Sequence, residues 1–84
     1  MLVEIWEKKY SEKYDYWSNY LQHRIRCTEK DVCEKILDKA KTHNKQIEFD
    51  SRYDRIVVHK GITTFFIGCT IKQFNRLQNK YGDV

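Results

Sequence analysis

No proline interrupts this chain of 84 residues, and glycine occurs only three times. A proline-rich spacer and a Gly/Ser linker are both excluded, so the chain reads as one domain, residues 1–84. Glycines 61, 68 and 82 stand alone, which leaves out the Gly-x-x-x-x-Gly-Lys and Gly-x-Gly-x-x-Gly phosphate cradles. No stretch approaches the ~18 apolar residues of a membrane span. Glu4, Glu7, Lys8 and Lys9 break up the N-terminal segment, which argues against a signal peptide. The expected setting is therefore cytoplasmic, without membrane contact. Cys27, Cys33 and Cys69 make an odd count, and three free thiols in a reducing compartment are the simplest expectation.

Size also limits the chemistry. A domain this short buries about 60–65% of its unfolded surface. Little room is left for a ligand pocket of the usual ~300–1,000 Å³, which lowers the expectation of an enzyme. Charged residues make up 33% of the chain, apolar residues 40% and aromatics 14%. That balance is globular rather than disordered. The net charge of +4 is spread thinly, and only the last segment, with Lys72, Arg76 and Lys80 against Asp83, leans clearly basic.

The pattern resolves into elements. A helix is expected over about 28–43, with Thr28 as N-cap and Asp31 as a short-armed capping box. Val32, Cys33, Ile36, Leu37 and Ala40 fall on its one apolar face, and Asn44 suits the left-handed position that ends it. A second helix is expected over about 70–81. Thr70 and Gln73 form its capping box, Ile71, Phe74, Leu77 and Tyr81 its apolar stripe, and Gly82 its stop. Between the helices, 46–50, 55–59 and 62–67 read as strands, with turns at 50–54 and at Lys60-Gly61. The first 27 residues fit either a helix or a hairpin of strands 2–10 and 16–27. The aromatic density and the direct join to a capped helix favour the hairpin. On that reading Trp17, Leu21 and Ile25 face the core. The predicted fold is α+β, a small two-layer sandwich. Its order is β-β-α-β-β-β-α, and both helices lie on one face of an antiparallel sheet. Residues 28–81 resemble double-stranded-RNA-binding domains and some small toxin ribonucleases, in element order alone.

Several constellations bear on chemistry. His23, Cys27, Cys33 and His43 have the residue types of a zinc site, but the five-residue gap between the cysteines is wider than the usual ligand pair. No metal and no cofactor is expected. Cys27 and Cys69 each precede a helix cap, where a thiol is acidified. As nucleophiles they would need His23 or His59 as base. Packing at a strand end accounts for them more simply. Arg55 and His59, four apart on one strand, share a face with phosphate-holding and acid–base potential. With Lys60 nearby they motivate a toxin-like ribonuclease as the third functional reading. No catalytic residue is assigned.

Two surfaces stand out as binding candidates. Lys72, Arg76 and Lys80 recur every four residues and form a basic stripe on the second helix, suited to nucleic-acid phosphates. Tyr10, Tyr14, Tyr16 and Tyr20, with Trp17, fall within eleven residues beside acids as well as lysines. Exposed tyrosines are typical of protein-binding hot spots. The leading expectation is therefore a non-enzymatic module that binds a larger protein or protein complex. The Lys, Asn, Ile and Tyr usage fits an AT-rich genome and a phage or mobile-element inhibitor of host machinery, such as a defence nuclease complex. A small basic nucleic-acid-binding domain is the alternative, and a homodimer seam is compatible with the tyrosines.

Overall fold

The computed structural model describes residues 1–28 and 32–82. Its elements follow the expected order: β1 (Leu2–Ser11), β2 (Tyr16–Arg26), α1 (Glu34–Thr42), β3 (Gln46–Asp50), β4 (Arg55–Lys60), β5 (Thr63–Gly68) and α2 (Ile71–Tyr81). The five strands form one antiparallel sheet in the order β2-β1-β5-β4-β3. Both helices contribute to one core against the same sheet face. Val3, Ile56, Val58 and Ile67 rise from the strands to meet Leu37 and Ala40 of α1 and Phe74, Leu77 and Tyr81 of α2. The fold is the predicted two-layer α+β sandwich.

Local chemistry sets the ends of these elements. Thr70 and Gln73 exchange hydrogen bonds at 3.2 and 3.0 Å, closing the predicted capping box on α2. Asn44 takes φ 53°. The Asn44 and Lys45 amides then donate to the Lys41 and Ala40 carbonyls at 3.2 and 2.8 Å, completing a Schellman end on α1. The β4–β5 turn sits one residue later than predicted, at Gly61 and Ile62, because Lys60 still pairs with Thr63. Gly61 adopts φ +59°, which a residue with a Cβ takes only at a cost. Gly82 is a stop of a different kind from the one predicted. Its φ is −69°, and glycine is needed because a Cβ there would collide with the Gln78 carbonyl.

The α-helical span of α1 starts at Glu34, preceded by helical backbone at Val32 and Cys33, and the expected start at Thr28 with its Asp31 box falls on residues 29–31, outside the described residues. Two expectations are corrected. Cys27 and Cys33 are bonded to each other, so only Cys69 remains a free thiol. The bond ties the end of β2 to the entry of α1. Finally, Trp17 and Leu21 do not face the core with Ile25. The register slips between Ile5 and Trp6, so that Ile5 pairs with His23 and Trp6 with Leu21. Gln22 is the extra residue of this bulge, and it reverses the inside-outside alternation along β2. Ile25 stays beside buried Val3, while Trp17 and Leu21 turn to the helix-free face, 60% and 38% exposed.

Candidate functional site

The β1–β2 hairpin outruns the rest of the sheet. β5 pairs with β1 from Leu2 to Glu7, and one further bond joins the Lys8 amide to the Ile62 carbonyl at 2.9 Å. Residues 9–18 then continue as an arm with no third strand beside them. The overhang of β1 is roughly 10–14 Å at 3.4 Å per residue. It lengthens the molecule to 44 Å against 25 and 24 Å in the other directions.

The arm carries the tyrosines singled out by the sequence, and all are exposed. Asp15 at φ 53° closes its tip, and the Tyr10 hydroxyl donates to the Asp15 carboxylate. That bond raises the Tyr10 hydroxyl above its ordinary pKa. The rings form two loose pairs, Tyr10 with Trp17 at 5.5 Å between centroids and Tyr14 with Tyr16 at 6.0 Å. Alternation divides them. Tyr10 and Trp17 belong to the helix-free side, Tyr16 and Tyr20 to the other, and Tyr14 sits in the turn. Lys9 lies over the Tyr20 ring at 5.5 Å.

The backbone adds a second property. β2 is an edge strand, so one side of it presents unpaired amides and carbonyls. Residues 16–22, Tyr-Trp-Ser-Asn-Tyr-Leu-Gln, contain no charge. Edge strands are ordinarily blunted by lysine, proline or brevity. Here an uncharged aromatic segment occupies the longest strand of the sheet, and only the Gln22 bulge interrupts it.

The helix-free face also holds a groove of about 340 Å³, lined in part by Trp6, Lys8, Arg55, His59, Thr64 and Phe66. Cross-strand pairing assembles it: Thr64 stands between Trp6 and His59, and Phe66 between Glu4 and Val57. Trp6 and Phe66 meet edge to face, with centroids 6.4 Å apart. The Arg55 guanidinium lies 5.0 Å from the Phe66 ring and 5.0 Å from the Tyr53 ring. Arg55 also donates to Asp50 at 3.1 Å. Glu4 accepts from Arg24 at 2.8 Å. Among the described residues, no ion pair engages Lys8 or Arg26. The Trp6 indole N–H is shut away from solvent and has no acceptor among the described residues.

Sequence reasoning placed Arg55 and His59 on one face, and both line the groove. It missed Trp6 and Phe66. Period-two alternation in β1, with Val3 and Ile5 inward and Trp6 outward, was the signal available.

The other candidates land as follows. Lys72, Arg76 and Lys80 are exposed on α2, but Lys80 is engaged by Glu34 of α1 and lies 5.3 Å from the Tyr81 ring. Part of the stripe's charge thus serves the contact between the helices. Cys69 packs against the core, and burial pushes its thiol above the usual range rather than below it. It sits on the helix side of the sheet, away from His59 on the opposite face. His59 has Glu48 at 3.5 Å as its neighbour across β3 and β4. Among the described residues, no group of three His, Cys, Asp or Glu side chains could hold a metal ion. No helix among the described residues is long and apolar enough to cross a membrane. The chain matches no protein-family model, no curated protein and no solved structure.

Proposed function

We propose that this chain is a non-enzymatic protein-binding module that docks on a larger protein or complex through the β1–β2 arm. The observation that carries the reading is the uncharged aromatic run 16–22 on a projecting edge strand. An exposed edge offers main-chain hydrogen bonds to an added strand, and flanking side chains select the partner. Tyr and Trp supply large contact area at low entropic cost, which is why they dominate hot spots. Tyr14, Tyr16 and Tyr20 border this edge, and Tyr10 supports it from β1. A host complex blocked by a phage or mobile-element protein is the setting that the composition fits.

The test is affinity capture from the native host, comparing wild type with a Tyr14→Ser/Tyr16→Ser/Tyr20→Ser variant. A partner retained by wild type and lost by the folded variant supports the reading. Identical capture by both, or none by either, defeats it.

A further inference from the structure

We propose that the helix-free face of the sheet binds single-stranded nucleic acid, with a base held against Trp6 and Phe66 and the flanking phosphates held by Lys8 and Arg26. This surface differs from the α2 stripe and from the edge of β2. It does not depend on the docking role of the arm.

Three properties of the face converge on that ligand. First, its rings are interleaved with cations along the strands. Reading down β1 and its neighbours, the face presents Tyr10 with Trp17, then Lys8, then Trp6, then Glu4 between Arg24 and Phe66, then Leu2 with Arg26 and, beyond Gly68, Arg55. Alternating aromatic and basic side chains on a sheet are how single strands are bound without sequence readout: bases stack on rings and cations track the backbone.

Second, the charges are sorted. Glu4 is held by Arg24, and Asp50 by Arg55 and Arg52. Two carboxylates of the face are thereby neutralised, and Glu48, the third, lies on β3 with His59 as its neighbour. Among the described residues, Lys8 at one end of the groove and Arg26 beyond its other end, beside Leu2, have no ion-pair partner. An anionic chain running along β1 meets a cation at each end and aromatic surface between. A duplex fits this pattern poorly, because its bases are stacked inside and a flat face cannot reach them.

Third, the Trp6 indole N–H is a buried donor without an acceptor among the described residues. Such a group is costly to leave unpaired, and nucleobases are rich in acceptors at their edges. Reaching it requires a long lining side chain to move aside, and Lys8 and Arg55 have flexible stems. The groove of about 340 Å³ is of the size of one nucleotide rather than of a peptide segment. A protein module with such a groove suits a partner that itself handles nucleic acid.

Fluorescence anisotropy with fluorescein-labelled 12-nucleotide dT and rU strands, and with a 12-base-pair duplex, tests this directly. The two single strands distinguish DNA from RNA as the source. Micromolar binding at 50 mM salt is expected for at least one of them, at least tenfold tighter than for the duplex. Two to three phosphate contacts on a single strand predict a loss of roughly 7- to 18-fold between 50 and 200 mM salt. Phe66→Leu should weaken binding by about 5- to 100-fold. Lys8→Glu should weaken it and flatten the salt dependence, whereas Lys72→Glu should leave it unchanged. Because Phe66→Leu disturbs packing, a second readout is needed. Trp17→Phe leaves Trp6 as the sole tryptophan, and its emission should be quenched as dT is added. No binding at 50 mM salt, equal binding to the duplex, equal binding to a poly-Glu peptide, sensitivity to Lys72 but not Lys8, or an unquenched Trp6 would each overturn the proposal. The tyrosine variant of the arm keeps every groove residue, so it should bind strands normally. Failure of the groove and failure of the arm are therefore separately visible.

Discussion

The Tyr81 hydroxyl donates to Asp38 across 2.7 Å and thereby ties the last turn of α2 to the middle of α1. Glu34 lies on the same side, 3.3 Å from the hydroxyl, and also accepts from Lys80. Burial is the main force raising the Tyr81 pKa above 10. The hydrogen bond to Asp38 and the two nearby carboxylates push it further the same way. A raised folded-state pKa means that the folded protein keeps a proton the unfolded chain has already lost. The contribution to stability is thus complete below pH 10 and declines as pH rises from 10 toward the folded value. Tyr81→Phe should cost about 1–2 kcal/mol at neutral pH through the lost hydrogen bond. Its stability should then fall less steeply than that of wild type above pH 10. Urea denaturation between pH 8 and 11 checks this, since lysine titration is common to both proteins and cancels in the difference. Parallel curves would show that the hydroxyl is not held as described.

At the acidic end the sensitive group is Asp50. Partial burial acts to raise its pKa, but hydrogen bonds from the Arg55 side chain and from the Arg52 backbone and side chain outweigh it and lower the value below the ordinary 3.8. A depressed pKa gives stability that is present above the unfolded value and lost as pH falls through the folded one. Asp50→Asn should therefore be less stable than wild type at pH 6 and should converge with it below about pH 4. Thermal melts across pH 2–6 would show convergence. A constant offset would mean that Asp50 is not the titrating group.

The bond between Cys27 and Cys33 spans a sequence separation of 6. Loop-closure entropy for so short a loop predicts about 2 kcal/mol of stabilisation. Intact mass under non-reducing conditions should be lower by two hydrogens than after reduction. Reduction should lower the denaturation midpoint correspondingly, while Cys69→Ser should leave the oxidised mass difference in place. An unchanged midpoint on reduction would show that the link contributes nothing to folding.

Much of this fold was legible in local chemistry. Asn44 and the Thr70-Gln73 pair act within one turn of backbone, so their residue types carry their geometry with them. The strand alternation of 55–60 and 63–68 is equally local. What escaped depends on distant partners. Gln22 is an ordinary strand residue, and nothing in its identity reveals that β1 assigns it no partner. The bulge becomes visible only when Ile5 and His23 are seen side by side. The groove is likewise built from Trp6 and Phe66, which meet because β1 inserts between β2 and β5. The tyrosine candidates were identifiable because aromatic density is a property of composition. Their exposure followed from the length of the hairpin relative to β5.

The uncharged edge makes one further prediction about the isolated protein. A seven-residue aromatic edge segment with no charge, 16–22, is a template for pairing with another copy of itself. Without a partner, wild type should self-associate in a concentration-dependent way at high micromolar levels. Tyr20 pairs directly with Glu7 across β1 and β2. Tyr20→Lys would place a cation on the edge, and the opposite-charge neighbour gained in Glu7, worth about 0.2–1 kcal/mol, is offset by the lost ring contact with Lys9 and by repulsion from it. Fold stability should consequently stay within about 0.5 kcal/mol of wild type. Self-association should be abolished. Loss of a partner captured by the arm should accompany it, by tenfold or more if Tyr20 lies near the centre of the contact. Sedimentation velocity over a concentration series reads the first effect, and a binding titration with the captured partner reads the second. If Tyr20→Lys self-associates like wild type and binds as tightly, β2 is not the docking edge, and the aromatic arm must act through its faces alone.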